Sequence, residues 1–150
     1  MDRYARTVRR ILLVVVLLVS CVPGSRAGDV LEATVSSHVD GDTFEVVLDG
    51  GRERIRFIGI DTPERGTPGY EAASRFTARA APVGMLIFLE LDIEERDRYR
   101  RLLAYVWLDR AAGPETGMLN ALLVASGHAV PLPILPNVAY ADLFARLARR

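Results

Sequence analysis

A chain of 150 residues has room for one domain once a targeting segment is set aside. It holds a single cysteine, which excludes an intramolecular disulfide, so an apolar core must carry the fold. All 19 basic residues are arginine; beyond residue 27 there are 14 of them against 18 acids, a net charge of −4, which excludes a nucleic-acid binder working by bulk charge. Contact with nucleic acid would need a local arginine cluster helped by a bound cation.

Residues 1–27 read as a signal peptide. Arg3, Arg6, Arg9 and Arg10 form a basic start, and residues 11–19 an apolar run too short to span a bilayer. Two processing routes stay open. Ser25-Arg26-Ala27 offers a small-x-small cleavage site that would release a soluble domain, and Leu18-Val19-Ser20-Cys21 resembles a lipobox that would leave a lipid anchor on Cys21. Either route exports the domain of residues 28–150, to the periplasm, the outer membrane or the exterior.

The spacing of apolar residues then predicts strands over 30–39 and 43–48, flanking Asp40-Gly41. Asp49-Gly50-Gly51 is a hairpin signal. A third strand covers 52–60 and ends before Pro63, which has no N–H for a ladder. A helix is expected over 70–81, stopped by Pro82-Val83-Gly84, then strands over 85–93 and 102–108. Residues 110–116 read as a loop, 117–126 as a helix, 130–136 as an irregular extended piece with three prolines, and 138–150 as an amphipathic helix. Three strands before any helix argue against a ferredoxin-like sandwich. The pattern fits a mainly β fold with α, a five-stranded Greek-key barrel of the oligonucleotide/oligosaccharide-binding (OB) type with three packed helices.

Three clusters carry chemistry. Asp40-Gly41-Asp42-Thr43 alone is a turn, but two close carboxylates repel unless a cation or solvent relieves them. Asp61-Thr62-Pro63-Glu64 alone is a strand end. Asp42, Asp61 and the Thr62 carbonyl together offer hard oxygen ligands of the kind calcium takes. Glu64, three residues past Asp61, is placed to take a proton from water. Arg56 and Arg101 are planar forks that match phosphoryl oxygens. Strict alternation puts Arg56 and Asp61 on opposite faces, so both serve one site only if the strand bends, and Gly59 is the place for it. His38 and His128 are isolated and read as structural or surface residues.

In this order the motifs Asp-Gly-Asp-Thr, Arg-x-x-x-x-Asp-Thr-Pro-Glu and Asp-x-Tyr-x-Arg-x-Leu-Ala-Tyr resemble the staphylococcal nuclease family, over about residues 33–137. The resemblance implies an OB barrel and a calcium-dependent nuclease. It would cut DNA and RNA, single-stranded or frayed, at the 5′-oxygen side and leave 3′-phosphates. By matching motif, Asp42, Asp61 and Thr62 would hold calcium, with Asp40 as an outer-sphere partner. Glu64 would be the general base, and Arg56 and Arg101 the phosphate clamps. Arg98 and Tyr99 would contact a terminal phosphate.

The sequence departs from the family at four places. Arg100 stands where glycine is common, a strain on the loop that aims Arg101 if that position takes a positive φ. Residues 130–135 lack the family's tyrosines, which predicts weaker base stacking. The loop over 65–70 is short, which predicts a more open groove. The sequence ends at Arg150, where the family continues with a tail that packs back, so lower stability is expected. The alternative readings are a catalytically impaired OB module that binds nucleic acid or a protein, and, on fold and lipobox alone, a carbohydrate-binding lipoprotein barrel.

Overall fold

The computed structural model describes residues 27–150. Residues 1–26, which include Cys21 and all but the last residue of the expected signal peptide, lie outside the described residues. The first strand, β1 (Val30–His38), carries a bulge between Val35 and Ser37. Strand β1 pairs with β5 (Leu86–Glu90) through its first half, Val30–Thr34, and with β2 (Thr43–Leu48) through its second half, Thr34–His38, where the bulge lies. Strand β2 runs into β3 (Gly51–Phe57) through Asp49 and Gly50, both at positive φ (49° and 77°), the pairing a tight two-residue hairpin requires. Strand β6 (Leu102–Trp107) pairs antiparallel with β5 and parallel with β3, closing a five-stranded barrel in the order β1-β2-β3-β6-β5. Phe44, Val46, Ile55, Phe57, Ile87, Leu89 and Tyr105 fill it, all essentially removed from water.

The third strand does not run to Ile60. It stops at Phe57, turns at Ile58-Gly59, and restarts outside the barrel as β4 (Ile60–Asp61). Gly59 has φ 77°, and a Cβ there would meet the Phe144 ring at 2.8 Å, so the turn needs glycine for both conformation and space. Strand β4 pairs with β7 (Val130–Pro131), a two-stranded piece within a segment expected to be wholly irregular. The helices are α1 (Tyr70–Ala80), the single turn α2 (Pro114–Gly117), α3 (Leu119–Ala125) and α4 (Ala141–Leu147). Four helices thus stand among the described residues where three were expected. The expected helix over 117–126 begins late because Met118 is extended and bridges to Trp107. The last helix is shorter than 138–150 at both ends.

Two polar links fix these helices to the barrel. Asn120, fully buried on α3, donates from Nδ2 to the Ile58 carbonyl and accepts from the Val106 N–H, both at 2.9 Å. Near α4, the Tyr140 hydroxyl donates to Glu90 (3.1 Å), and that of Tyr105 to Asp92 (3.0 Å), whose carboxylate also accepts the Ala139 N–H. Asn120→Ala would strand one buried donor and one buried acceptor. We expect a loss of about 2–5 kcal/mol in urea denaturation; a change within 1 kcal/mol would show that Asn120 does not hold the Ile58 turn.

Candidate active site

The turn at Gly59 brings Asp61 back beside Arg56, as the expected bend requires. The Arg56 guanidinium reaches two carboxylates at once, Asp42 Oδ1 from Nη1 (2.7 Å) and Asp61 Oδ1 from Nη2 (2.8 Å). Arg56 is 15% exposed, Asp42 7% and Asp61 40%, so one end of this triad is inside the protein and the other faces water. The Asp42 carboxylate is a hub. Its Oδ1 also accepts the Thr43 hydroxyl, and its Oδ2 accepts the Thr62 N–H (2.8 Å) and the Thr62 hydroxyl (2.9 Å).

Beneath the hub, Gly41 is packed against Thr62 and Ala73, where an added Cβ would come within 2.9 Å of both. Its carbonyl accepts the Thr77 hydroxyl from α1 at 2.6 Å. Gly41 thus sits in the bend between β1 and β2 and also serves close packing against α1. Asp40 accepts the Asp42 N–H at 3.1 Å. Burial, and then the charge of Asp42, raise its carboxyl above the ordinary carboxylate range.

The residues after the triad divide between two hollows. Arg56, Arg98, Tyr99 and Arg101 line one cavity of about 470 Å³, together with Leu132 and Ile134 from the segment lacking tyrosines. Glu64 is exposed and lines a second, of about 260 Å³, with Asp61, Thr62 and His128. Asp61 and Thr62 thus form the rim between Arg56 and Glu64. His38 is structural, its Nε2 donating to the Ala81 carbonyl at 2.8 Å, and the His128 ring rests on Phe76 at 5.0 Å.

Asp97, to which the motif reading gave no role, organises the loop that aims Arg101. Its Oδ2 holds Arg101 Nε at 2.6 Å, and its Oδ1 accepts the N–H groups of Tyr99 (2.9 Å) and Arg101 (3.0 Å). This leaves the two terminal amino groups of Arg101 without a hydrogen bond among the described residues. Arg100 does take positive φ, 69°, with its N–H donating to the Asp97 carbonyl. An aspartate two and four residues before the backbone groups it caps is a local signal that sequence reading can find.

A hard cation suits the donor chemistry of this rim, since Asp42, Asp61 and the Thr62 carbonyl offer only oxygen. The geometry adds a condition. All four acceptor positions of the Asp42 carboxylate are engaged, so a cation there displaces a partner. Arg56 is the partner that can swing away, because the other three belong to the chain beside Asp42 and to Thr62. Among the described residues no three His, Cys, Asp or Glu side chains already form a metal cluster, so water would complete the shell.

A family model described as staphylococcal nuclease homologue matches residues 54–148. The chain is 38% identical over 110 residues to a thermonuclease of Staphylococcus hyicus, covering 69% of this chain and 61% of that one. It is 41% identical over 108 residues to a thermonuclease of Staphylococcus intermedius, covering 68% and 60%. It is 34% identical over 122 residues to the endonuclease YncB of Bacillus subtilis, covering 76% and 54%. The chain thus spans less than two thirds of the length of these curated relatives.

The raised carboxyl of Asp40 gives a signed expectation. A folded pKa above the unfolded value means that Asp40 lowers stability as pH rises through that interval, and does not do so below it. Asp40→Asn should therefore melt higher than the parent at pH 7 in chelator, and the gain should vanish below about pH 4. Thermal melts at the two pH values measure this; equal melting at pH 7 would contradict it.

Proposed function

The chain belongs to the staphylococcal nuclease homologue family, and on that premise we propose that it is a calcium-dependent nuclease that hydrolyses DNA and RNA and leaves 3′-phosphate ends. The observation that carries the reading is the Arg56 fork on Asp42 and Asp61, which lies in the wall of the cavity shared with Arg101. The two arginines flank a hollow that can take a phosphodiester, with oxygen donors at its edge.

Asp42, Asp61 and the Thr62 carbonyl would hold calcium, which when bound neutralises the two carboxylates and polarises a phosphoryl oxygen. The chain's own groups do the rest. Glu64, exposed and with no carboxylate partner among the described residues, accepts a proton from the attacking water. The water oxygen bonds to phosphorus in line with the bond that breaks, the one to the 5′ oxygen, and solvent protonates the leaving oxygen. Arg56 and Arg101 stabilise the charge that builds on the equatorial oxygens, where permanently charged forks match both geometry and sign. Arg56, the one partner of Asp42 that the neighbouring chain does not fix, would be free to turn toward the phosphate once a cation took its place. The apolar walls from Leu132 and Ile134 favour an unpaired base, hence single-stranded or frayed substrate.

Digestion of single-stranded DNA by the purified mature protein should require calcium and stop in chelator. Glu64→Gln should remain folded and lose at least about 100-fold in turnover. Binding without calcium-dependent cleavage, in protein shown to be folded, would favour the non-catalytic OB module instead.

We also propose export, on the strength of residues 1–27. Mass spectrometry of the mature N-terminus should find Ala27 removed or a lipid-modified Cys21. An intact residue 1 in exported material would reject both routes.

A further inference from the structure

The outer face of the barrel carries a third hollow, beside the cavity lined by Arg56 and Arg101. It has a volume of about 510 Å³, and Arg52, Arg54, Arg100, Arg101 and Tyr99 form its walls together with Glu45 and Glu53. Tyr99 and Arg101 line both hollows, so the two are neighbours across one ridge.

The acids in this hollow do not neutralise it. Glu53 is taken up in two contacts of 3.0 Å by Arg96, which is not part of the lining. Glu45 serves two arginines, Arg54 at 2.7 Å and Arg52 at 3.9 Å. Arg100 has no ion-pair partner among the described residues. The rest of the mature chain is net negative, so this face departs from the whole molecule in sign.

The backbone at Arg100 points the same way. A side chain at φ 69° costs about 1–2 kcal/mol that glycine would not. Asp97 pins the loop through Tyr99 and Arg101, and Arg96 pins it through the Arg100 carbonyl at 2.9 Å. Strain held in place by a network, and ending in an unpaired cation over a hollow, suits a ligand-binding role. Between the hollows Tyr99 is 63% exposed, with the guanidinium carbons of Arg98 and Arg101 at 4.7 Å and 5.4 Å from its ring centre. An exposed aromatic ring with two guanidinium groups close by is the kind of surface that stacks a base and holds the phosphates around it.

We propose that this hollow is a second phosphate subsite, in which Arg100, backed by Arg52 and Arg54, grips the same nucleic-acid strand beyond Tyr99. The inference rests on the reading that the neighbouring cavity takes a phosphodiester. It predicts a preference for longer strands over dinucleotides that the scissile site alone does not supply.

The test uses Glu64→Gln protein as a non-cutting host with calcium present. A labelled 12-nucleotide oligothymidylate and a thymidine dinucleotide are titrated over a range of salt. Arg100→Gly in this host should weaken the 12-mer about 3–10-fold at low salt and reduce the slope of log affinity against log salt by about 0.7, the loss of one single-strand phosphate contact. Dinucleotide affinity should not change, Arg100→Lys should retain most of the 12-mer affinity, and the Gly variant should melt no lower than its parent, since the strained φ is relieved. An unchanged 12-mer affinity and slope, or an equal loss for both ligands, would overturn the second subsite. If the parent enzyme still cleaves with calcium, the nuclease reading survives that result. Absence of both cleavage and 12-mer binding would sink the two together.

Discussion

The break between Phe57 and Ile60 is the constraint on which the site depends. A strand that continued straight would carry Asp61 to the face opposite Arg56. Instead Gly59 adopts a left-handed conformation, Ile60 and Asp61 leave the barrel to pair with Val130 and Pro131, and the chain folds back until Arg56 bridges both acids. Phe144 occupies the space a side chain on Gly59 would need, and Asn120 accounts for the carbonyl that the turn frees at Ile58. Two helices distant in sequence therefore brace one turn, and the geometry of the carboxylates is only as firm as that packing.

The triad also explains how an acidic rim is tolerated at a half-buried position. Like charges on Asp42 and Asp61 would repel across a half-buried site. Arg56 acts as an internal counter-ion, and Thr62 and Thr43 supply neutral donors. The discomfort that remains is displaced to Asp40, whose carboxyl is driven up by burial and by Asp42. A cation proposed for this rim would have to compete with the Arg56 guanidinium already in place on Asp42 and Asp61.

Much of this was legible in the residues. The five barrel strands follow from alternation and turn chemistry, and the charged motifs announce themselves because each residue type suits one task. The bend at Gly59 was readable as a requirement, since Arg56 and Asp61 could not otherwise meet. What escaped was information held by packing across long separations. Gly41 looks like a turn residue, yet it is glycine because Thr62 and Ala73 lie against it. The helix expected from residue 117 is interrupted because Met118 is drawn into a bridge with Trp107. The brief pairing of Val130 with Asp61 has no local signature in a proline-rich stretch. Asp97 stood in the sequence only as a motif position, and its hold on Tyr99 and Arg101 became visible in the loop geometry.

The tyrosine latch on the last helix has a consequence for alkaline conditions. Burial and then the charge of Glu90 push the Tyr140 phenol up to about 12, and burial with Asp92 raises Tyr105 as well. A phenol whose folded pKa exceeds its unfolded value of about 10 lends stability that is whole below that value and is lost steadily as pH rises from there to the folded pKa. Arginine keeps its charge throughout the same range, and the sequence contains no lysine that would lose it. The tyrosine latch and the arginine-lined hollows therefore differ in their tolerance of base. In base the latch on the scaffold gives way before the arginine charge does.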